Sequence, residues 1–299
     1  MYDVLIIGAG PAGITAAIYA LRNDLKVGIM EGEVPGGKMV YTATIENYPG
    51  YDKVNGPDLA SSMFNQIMNL GVDYLGYNAK AIKKENGYFV VSGDEDIKAK
   101  TVIIATGTRN RKLEIPGEAR FSNKGISWCA ICDGALYRNK EVAVVGGGNS
   151  ALEESIYLSG IVKKLYLIHR REEFRAEKQV LEKVKKINNI EMILNTVVTE
   201  FLGQDGLEKM VLKNVKTGEV RTLKVDGCFE FVGLVPATEF VRDLGITDAD
   251  GYIPVNEAQE TKIQGLYAVG DVVSKKVRQI VTAVSDGAIA ALDIIKKIR

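Results

Sequence analysis

Apolar residues in this chain come in short runs that end at glycine and are followed by a helical period. Tyr2–Ile7 (YDVLII) is the first such run, and it leads into Gly8-Ala9-Gly10-Pro11-Ala12-Gly13. A pattern of helical period continues to Leu21 or Arg22, and a second apolar run, Lys26–Met30, stops at Glu31. The pattern predicts strand, glycine turn, helix, strand and then an acidic residue. Gly8, Gly10 and Gly13 keep G-x-G-x-x-G spacing, and Glu31 stands 23 positions after Gly8. That spacing is weak evidence alone, but between a strand and a helix, with an acid closing the second strand, it is specific for a dinucleotide site. Glycines let the backbone approach a pyrophosphate at the positive end of the helix dipole, and the acid accepts a hydrogen bond from a ribose hydroxyl.

The plan recurs. Glu141–Val145 (EVAVV) predicts a strand, Gly146-Gly147-Gly148-Asn149-Ser150-Ala151 a turn, Leu152–Leu158 the start of a helix, and Lys164–Ile168 the next strand. Gly146, Gly148 and Ala151 fit the G-x-G-x-x-A variant. The residue 23 positions after Gly146 is His169, followed by Arg170, Arg171 and Arg175. An acid at this place suits a free ribose hydroxyl and repels a phosphate, whereas guanidinium groups bind a phosphate bidentately. The first site is therefore expected to hold the adenosine ribose of FAD, and the second the 2′-phosphate of NADPH. The bland reading of His169–Arg175 is a solvated helix start.

Each half also predicts a β-meander. Ala79–Ala105 is broken at residues 85–87 and 93–96, and Asn195–Val232 at residues 203–206 and 216–219. The Lys-rich stretch Leu181–Asn189 reads as a solvated helical face. Val4–Leu21 is 18 residues without a charge, near the minimum for a membrane span, but Gly8, Gly10, Pro11 and Gly13 interrupt it and no Lys or Arg precedes it. The expectation is no membrane association. Over 299 residues, 46% hydrophobic and 25% charged, there is material for two domains. Lys plus Arg, at 38, equals Asp plus Glu, at 38, so no net charge draws the chain to nucleic acid.

Two of the three cysteines are spaced as Cys129-Ala130-Ile131-Cys132, followed by Asp133-Gly134. In a chain with so few cysteines this points to redox chemistry or metal, not a disulfide framework, and to a cytoplasmic location. Two thiols at this spacing close a small ring and reopen by exchange, and Asp133 is a candidate acid for the departing thiolate. The counter-reading is zinc held by Cys129, Cys132, Cys228 and His169, a Cys₃His set by count. Against it, Cys228 lies in a strand-like run where a core cysteine is ordinary, and His169 is better used beside the arginines. No metal is expected.

With these residues in place, the chain resembles the low-molecular-weight thioredoxin reductases over essentially its whole length. The matching segments are GAGPAG (8–13), GGKMVYTATIENYPG (36–50), ATG (105–107), CAICDG (129–134), GGGNSALEE (146–154), HRREEFR (169–175) and GDVVSKKVRQI (270–280). The resemblance implies an α/β fold with two Rossmann-like domains, each with an inserted meander, the NADPH domain (112–238) inserted into an FAD domain (1–111 and 239–299). It implies a homodimer that passes electrons from NADPH through FAD and Cys129–Cys132 to thioredoxin, with domain rotation between half-reactions. Pro- and Gly-bearing segments 113–117 and 233–237 are hinge candidates.

To FAD the resemblance assigns Gly8, Gly10, Pro11, Ala12, Gly13, Glu31, Gly32, Gly36, Gly37, Lys38, Met39, Asn47, Thr106, Gly107, Gly270, Asp271, Arg278, Gln279 and Ile280. Within that set Asp271 is expected at the ribityl hydroxyls, and Gln279 and Ile280 near the isoalloxazine. To NADPH it assigns Gly146, Gly148, Asn149, Ser150, Ala151, His169, Arg170, Arg171, Arg175 and Gly233. Two residues depart from the usual pattern. Lys38 stands where many relatives have glutamine, and is a candidate partner for reduced flavin; Trp128 precedes the first cysteine. Relatives with other acceptors fit less well. Ferredoxin-linked forms are expected to lose the basic patch or the CxxC, and peroxiredoxin-linked forms to carry an extra N-terminal module ahead of the first strand. A flavin-bound redox sensor would need no complete second nucleotide site.

Overall fold

The computed structural model describes every residue except Ala43, which falls inside the 36–50 segment, and Arg299 at the end of the last FAD stretch. The chain opens with β1 (Tyr2–Ile7), α1 (Pro11–Leu21), β2 (Val27–Met30), α2 (Gly56–Asn69), β3 (Asp73–Leu75), β4 (Ala81–Glu85), β5 (Tyr88–Ser92), β6 (Asp96–Ile104) and β7 (Thr108–Asn110). Next come α3 (Glu118–Phe121), β8 (Ile126–Ser127), α4 (Ala130–Asp133), β9 (Glu141–Gly146), α5 (Asn149–Ser159), β10 (Lys164–Ile168), α6 (Lys178–Lys185) and β11 (Ile190–Ile193). The remainder is β12 (Thr196–Leu202), β13 (Lys209–Asn214), β14 (Val220–Lys224), β15 (Gly227–Phe231), β16 (Leu234–Pro236), β17 (Leu266–Ala268) and α7 (Ile280–Ile298). These elements form two compact units, one of residues 1–109 with 235–299, the other of residues 110–234.

In the first unit the sheet order is β3-β2-β1-β6-β5-β4, with β17 also on β6. The β1, β2, β3 and β17 pairings are parallel, and β4-β5-β6 is an antiparallel meander. Along one edge of β6, residues 96–99 pair with β5 and residues 102–104 with β17, so a single strand serves both parts. The period-2 alternation of β1 divides its core. Val4 and Ile6 pack under α1 and α7, while Leu5 and Ile7 pack with Phe89, Val91 and Ile104 on the other face.

In the second unit all five strands of β11-β10-β9-β15-β8 are parallel, and β12-β13-β14 forms a separate antiparallel sheet. Here the predicted meander of 195–232 needs correction. Its antiparallel part stops at Lys224, and after Val225 and Asp226 the chain re-enters the parallel sheet as β15. Val225 is buried, and the Asp226 carboxylate accepts the Glu141 amide at 2.9 Å, which pins the crossing to the start of β9. The Lys-rich 181–189 stretch is helical only as far as Lys185. Among the described residues no helix is long and apolar enough to cross a membrane.

Candidate functional site

The first glycine turn is shaped by contacts that leave no room for side chains on one side and open space on the other. Gly8 has φ 107°, and a Cβ there would stand 2.5 Å from the Ala105 carbonyl oxygen. At Gly13 a Cβ would stand 2.0 Å from the Gly8 carbonyl oxygen, so the helix is drawn tight against the turn. A Cβ at Gly10 would meet nothing within 4 Å, which is where a pyrophosphate needs an unobstructed backbone. Glu31 follows β2 directly and is tied back to the turn: its carboxylate accepts Ala9 N–H at 3.0 Å and Glu33 N–H at 2.9 Å.

Three other expected residues of this unit, Gly36, Gly37 and Gly270, meet the same turn. The Gly36 amide donates to the Ala9 carbonyl at 2.8 Å, and a Cβ on Gly37 would lie 3.3 Å from Gly10 Cα. Gly270 lies over the start of α1, where its Cβ would be 3.0 Å from Ala12 Cβ, and its amide donates to the buried Asp286 carboxylate at 2.9 Å. Thr106 and Gly107 bracket Ala237, through a Thr106 hydroxyl bond of 2.8 Å and an Ala237 amide bond of 3.1 Å. Asn47 donates to Gln279 at 3.2 Å, just before α7 starts at Ile280. Asn47 also lines a cavity of about 460 Å³ formed by residues 46–52. Arg278 donates to the Asp271 and Val273 carbonyls at 3.1 and 3.3 Å, and its guanidinium lies 4.1 Å from the centre of the Tyr252 ring.

Lys38 is already partnered. Its ammonium donates to Asp271 at 2.6 Å and to the Thr108 hydroxyl at 2.8 Å. Thr108 carries no sequence signal for this role, because the contact spans 70 positions.

The second turn repeats the geometry. A Cβ at Gly146 would stand 2.5 Å from the Phe231 carbonyl oxygen, while one at Gly148 would meet nothing within 4 Å. The segment after β10 folds back over this turn. The Arg175 amide donates to the Gly147 carbonyl at 2.8 Å, and Asn149 and Glu177 exchange hydrogen bonds of 3.0 and 2.8 Å. His169 is buried under the segment: its Nε2–H donates to the Glu173 carbonyl at 3.1 Å, and its ring stacks on Phe174 at 4.9 Å. A Cβ on Gly147 would stand 2.2 Å from that ring, which is why the middle residue of the turn is also glycine. Burial lowers the His169 pKa, and the neighbouring arginines lower it further. The imidazole is thus a neutral support, and the exposed charge comes from Arg170, Arg171 and Arg175. Of the two acids between them, Glu172 is paired with Lys216 at 2.5 Å, and Glu173 is exposed. Ser150 is exposed at the start of α5, and Gly233 follows β15 with its carbonyl accepting the Arg111 amide at 2.9 Å.

In the same unit Cys129 and Cys132 form a disulfide, with Cα atoms 5.4 Å apart. Cys129 is the N-cap of α4 and Cys132 lies within that helix, shortly after the edge strand β8, and the Cys132 amide donates to Cys129 Sγ at 3.1 Å. Cys132 is exposed and Cys129 half-buried. Ser127, which the sequence did not point out, organises the motif. Its buried hydroxyl donates to the Asp133 carboxylate at 2.6 Å and accepts the Cys129 amide at 3.0 Å. The zinc alternative finds no geometric support. Cys228 is fully buried in β15, and burial pushes its thiol pKa well up. No group of three His, Cys, Asp or Glu among the described residues is placed to hold a metal ion.

The residues therefore define a class: an α/β protein with two dinucleotide-type units, one of which carries a disulfide able to open and close. Its sequence matches the pyridine nucleotide-disulphide oxidoreductase profile over residues 2–287, and the chain belongs to that family. It is 45% identical to the thioredoxin reductase of Ureaplasma parvum serovar 3, covering 98% of this chain and 95% of that one. The crystal structure of Lactococcus lactis thioredoxin reductase matches with TM-score 0.97 and 45% identity, over 99% of this chain and 98% of that chain. The T. acidophilum thioredoxin reductase structure matches with TM-score 0.95 and 38% identity, again over 99% and 98%.

Proposed function

We propose that this protein is an NADPH-dependent thioredoxin reductase containing FAD, which passes reducing equivalents to Cys129–Cys132 and on to thioredoxin or a thioredoxin-like dithiol protein. The carrying observation is the Cys129–Cys132 disulfide, carried by the same unit as the second glycine turn. FAD, when bound, supplies a carrier that takes hydride from a nicotinamide and gives an electron pair to a disulfide.

The first unit suits FAD because Gly10 leaves open backbone and Glu31 offers a carboxylate where a ribose hydroxyl would lie. The second suits NADPH because Arg170, Arg171 and Arg175 are exposed beside the turn and Glu172, one of the two acids between them, is paired with Lys216. There the arginines bind the 2′-phosphate, and His169 holds their segment against Gly147. Opened, the pair provides a thiolate that attacks a protein disulfide; the mixed disulfide formed is then displaced by the second thiolate. Asp133, oriented by Ser127, holds the proton for the thiolate that leaves. The thioredoxin couple, at about −270 mV, is a downhill acceptor from a nicotinamide donor.

The chain passes between its two units only twice, after Arg109 and after Leu234, which is the connectivity a rotation between half-reactions requires. A homodimer in the cytoplasm completes the reading.

The test is NADPH oxidation by the purified yellow protein, with and without oxidised thioredoxin, with Cys132→Ser as control. Turnover that needs both thioredoxin and Cys132 is expected. Flavin bleaching by NADPH without thioredoxin turnover overturns the acceptor and leaves the cofactors standing.

A further inference from the structure

Strand β8 is two residues long and lies at the edge of its sheet, paired with β15 through Ile126↔Cys228 and Ser127↔Phe229, with one isolated bridge from Ile126 to Ser122. So short a ladder cannot by itself orient the Trp128–Cys129 segment that follows, and side chains must do it. On one face Ser127 ties the backbone to Asp133. On the other, Trp128 and Glu230 come one register step after that last pair, and the indole N–H donates to Glu230 Oε2 at 3.1 Å. Glu230 is fully buried in the middle of the second unit, an environment that normally excludes a carboxylate.

We propose that Glu230 is a positioning residue for the redox disulfide, acting by anchoring the Trp128 indole and so the backbone that enters Cys129. The proposal rests on the reading of Cys129–Cys132 as the redox pair.

The groups facing Glu230 explain how it is tolerated. Glu118, on α3, is also buried, and its carboxylate accepts the amides of Leu113 at 3.1 Å, Ile115 at 3.4 Å and Glu114. Three backbone N–H donors thus converge on the Glu118 side chain, which is itself close enough to act on Glu230. Burial first, and Glu118 second, raise the Glu230 pKa to about 8, opposed weakly by Trp128 and Lys112. Among the described residues Glu230 Oε1 has no hydrogen-bond partner, so the indole N–H on Oε2 is the side-chain bond that holds Glu230. Cys228, two residues earlier on β15, is a buried thiol, and Lys112 lies 5.4 Å from the Trp128 ring centre. Losing the Glu230 proton places a buried charge beside Glu118 and turns the acceptor that holds the Trp128 indole from a neutral carboxyl into a carboxylate.

Trp128 is the one tryptophan of the chain, so its emission reports this contact directly. The experiment follows emission of the oxidised holoenzyme from about pH 6 to pH 10, with Cys129 and Cys132 locked as disulfide so that neither titrates. A transition near pH 8 is expected in the wild type and absent in Glu230→Gln, whose amide still accepts from the indole. Glu230→Leu is expected to give a pH-independent, water-exposed emission. The same variant should lower kcat/KM for oxidised thioredoxin roughly two- to tenfold, the scale of one lost hydrogen bond, with KM for NADPH unchanged. Flat wild-type emission, or a transition retained in Glu230→Gln, overturns the proposal. Because the emission arm uses no thioredoxin, failure of the acceptor assignment is seen separately.

Discussion

The turns at Gly8–Gly13 and Gly146–Ala151 follow strands of 6 residues and open helices of 11, yet the chemistry around them differs. Around the first, an acid bonds to the turn backbone. Around the second, a buried imidazole supports a loop of exposed guanidiniums. The helices differ as well. Six residues after the open glycine, α1 has Ala16 and α5 has Glu154, both buried. The first helix is covered by α7, which approaches so closely that a Cβ on Gly287 would stand 2.1 Å from the Ala12 carbonyl oxygen. Small residues are required there. On α5 the corresponding position takes a carboxyl, and burial raises its pKa to about 8. The two turns thus share their backbone geometry, with the same open glycine, while the residues around them give each a different charge.

The largest expected effect concerns what the second unit has and the first lacks. Cys132→Ser should abolish thioredoxin turnover while leaving flavin reduction by NADPH intact in a stopped-flow assay. Next, Arg170→Ala with Arg171→Ala should raise KM for NADPH roughly ten- to a hundredfold, the scale of one or two charge-assisted hydrogen bonds, and leave NADH use nearly unchanged. A similar loss with both nucleotides would break the charge contrast between the turns.

A third test sharpens the division of labour within a turn. Gly13→Ala should unfold or strongly destabilise the first unit, because its Cβ would meet the Gly8 carbonyl oxygen at 2.0 Å. Gly10→Ala should leave thermal stability unchanged and weaken flavin retention, since its Cβ meets no protein atom within 4 Å. Equal loss of stability in both would show that the glycines share one structural role.

Glu154 gives a pH test with a defined sign. Its folded pKa of about 8 exceeds the ordinary 4.5, so its contribution is full below about pH 4.5 and is lost as pH rises towards 8. Two and a half units at pH 7 correspond to roughly 3 kcal/mol. Glu230, shifted the same way, adds to this slope. Glu154→Gln should therefore reduce the loss of stability between pH 5 and pH 8 in urea titrations without removing it. An unchanged slope would mean Glu154 is ionised in the native state.

The smallest effect is expected at Lys38. Its ammonium is half-exposed and paired with Asp271, so Lys38→Gln should cost under about 1 kcal/mol. The flavin potential should move little, because that charge is already neutralised; a large shift in a reductive titration would show that Lys38 leaves Asp271 when flavin binds.

Much of this was legible in the sequence because its signals are local. A glycine turn needs its residues within six positions, a CxxC within four, and strand periodicity within one strand. Equal spacing from turn to Glu31 and from turn to His169 even exposed the charge contrast, since β-α-β units keep that length. What local pattern could not give are contacts across long separations. Lys38 meets Asp271 over 233 positions, and Trp128 meets Glu230 over 102. His169 reads from its position as part of the nucleotide site beside the arginines, and only its burial against Gly147 makes it a neutral support. The sequence by itself determined the two nucleotide folds, the redox pair and the sign of charge at each site, because backbone geometry and residue type suffice for those. Tertiary structure alone decided which carboxyls are buried and which charges are already paired, because burial and pairing depend on neighbours that only folding brings together.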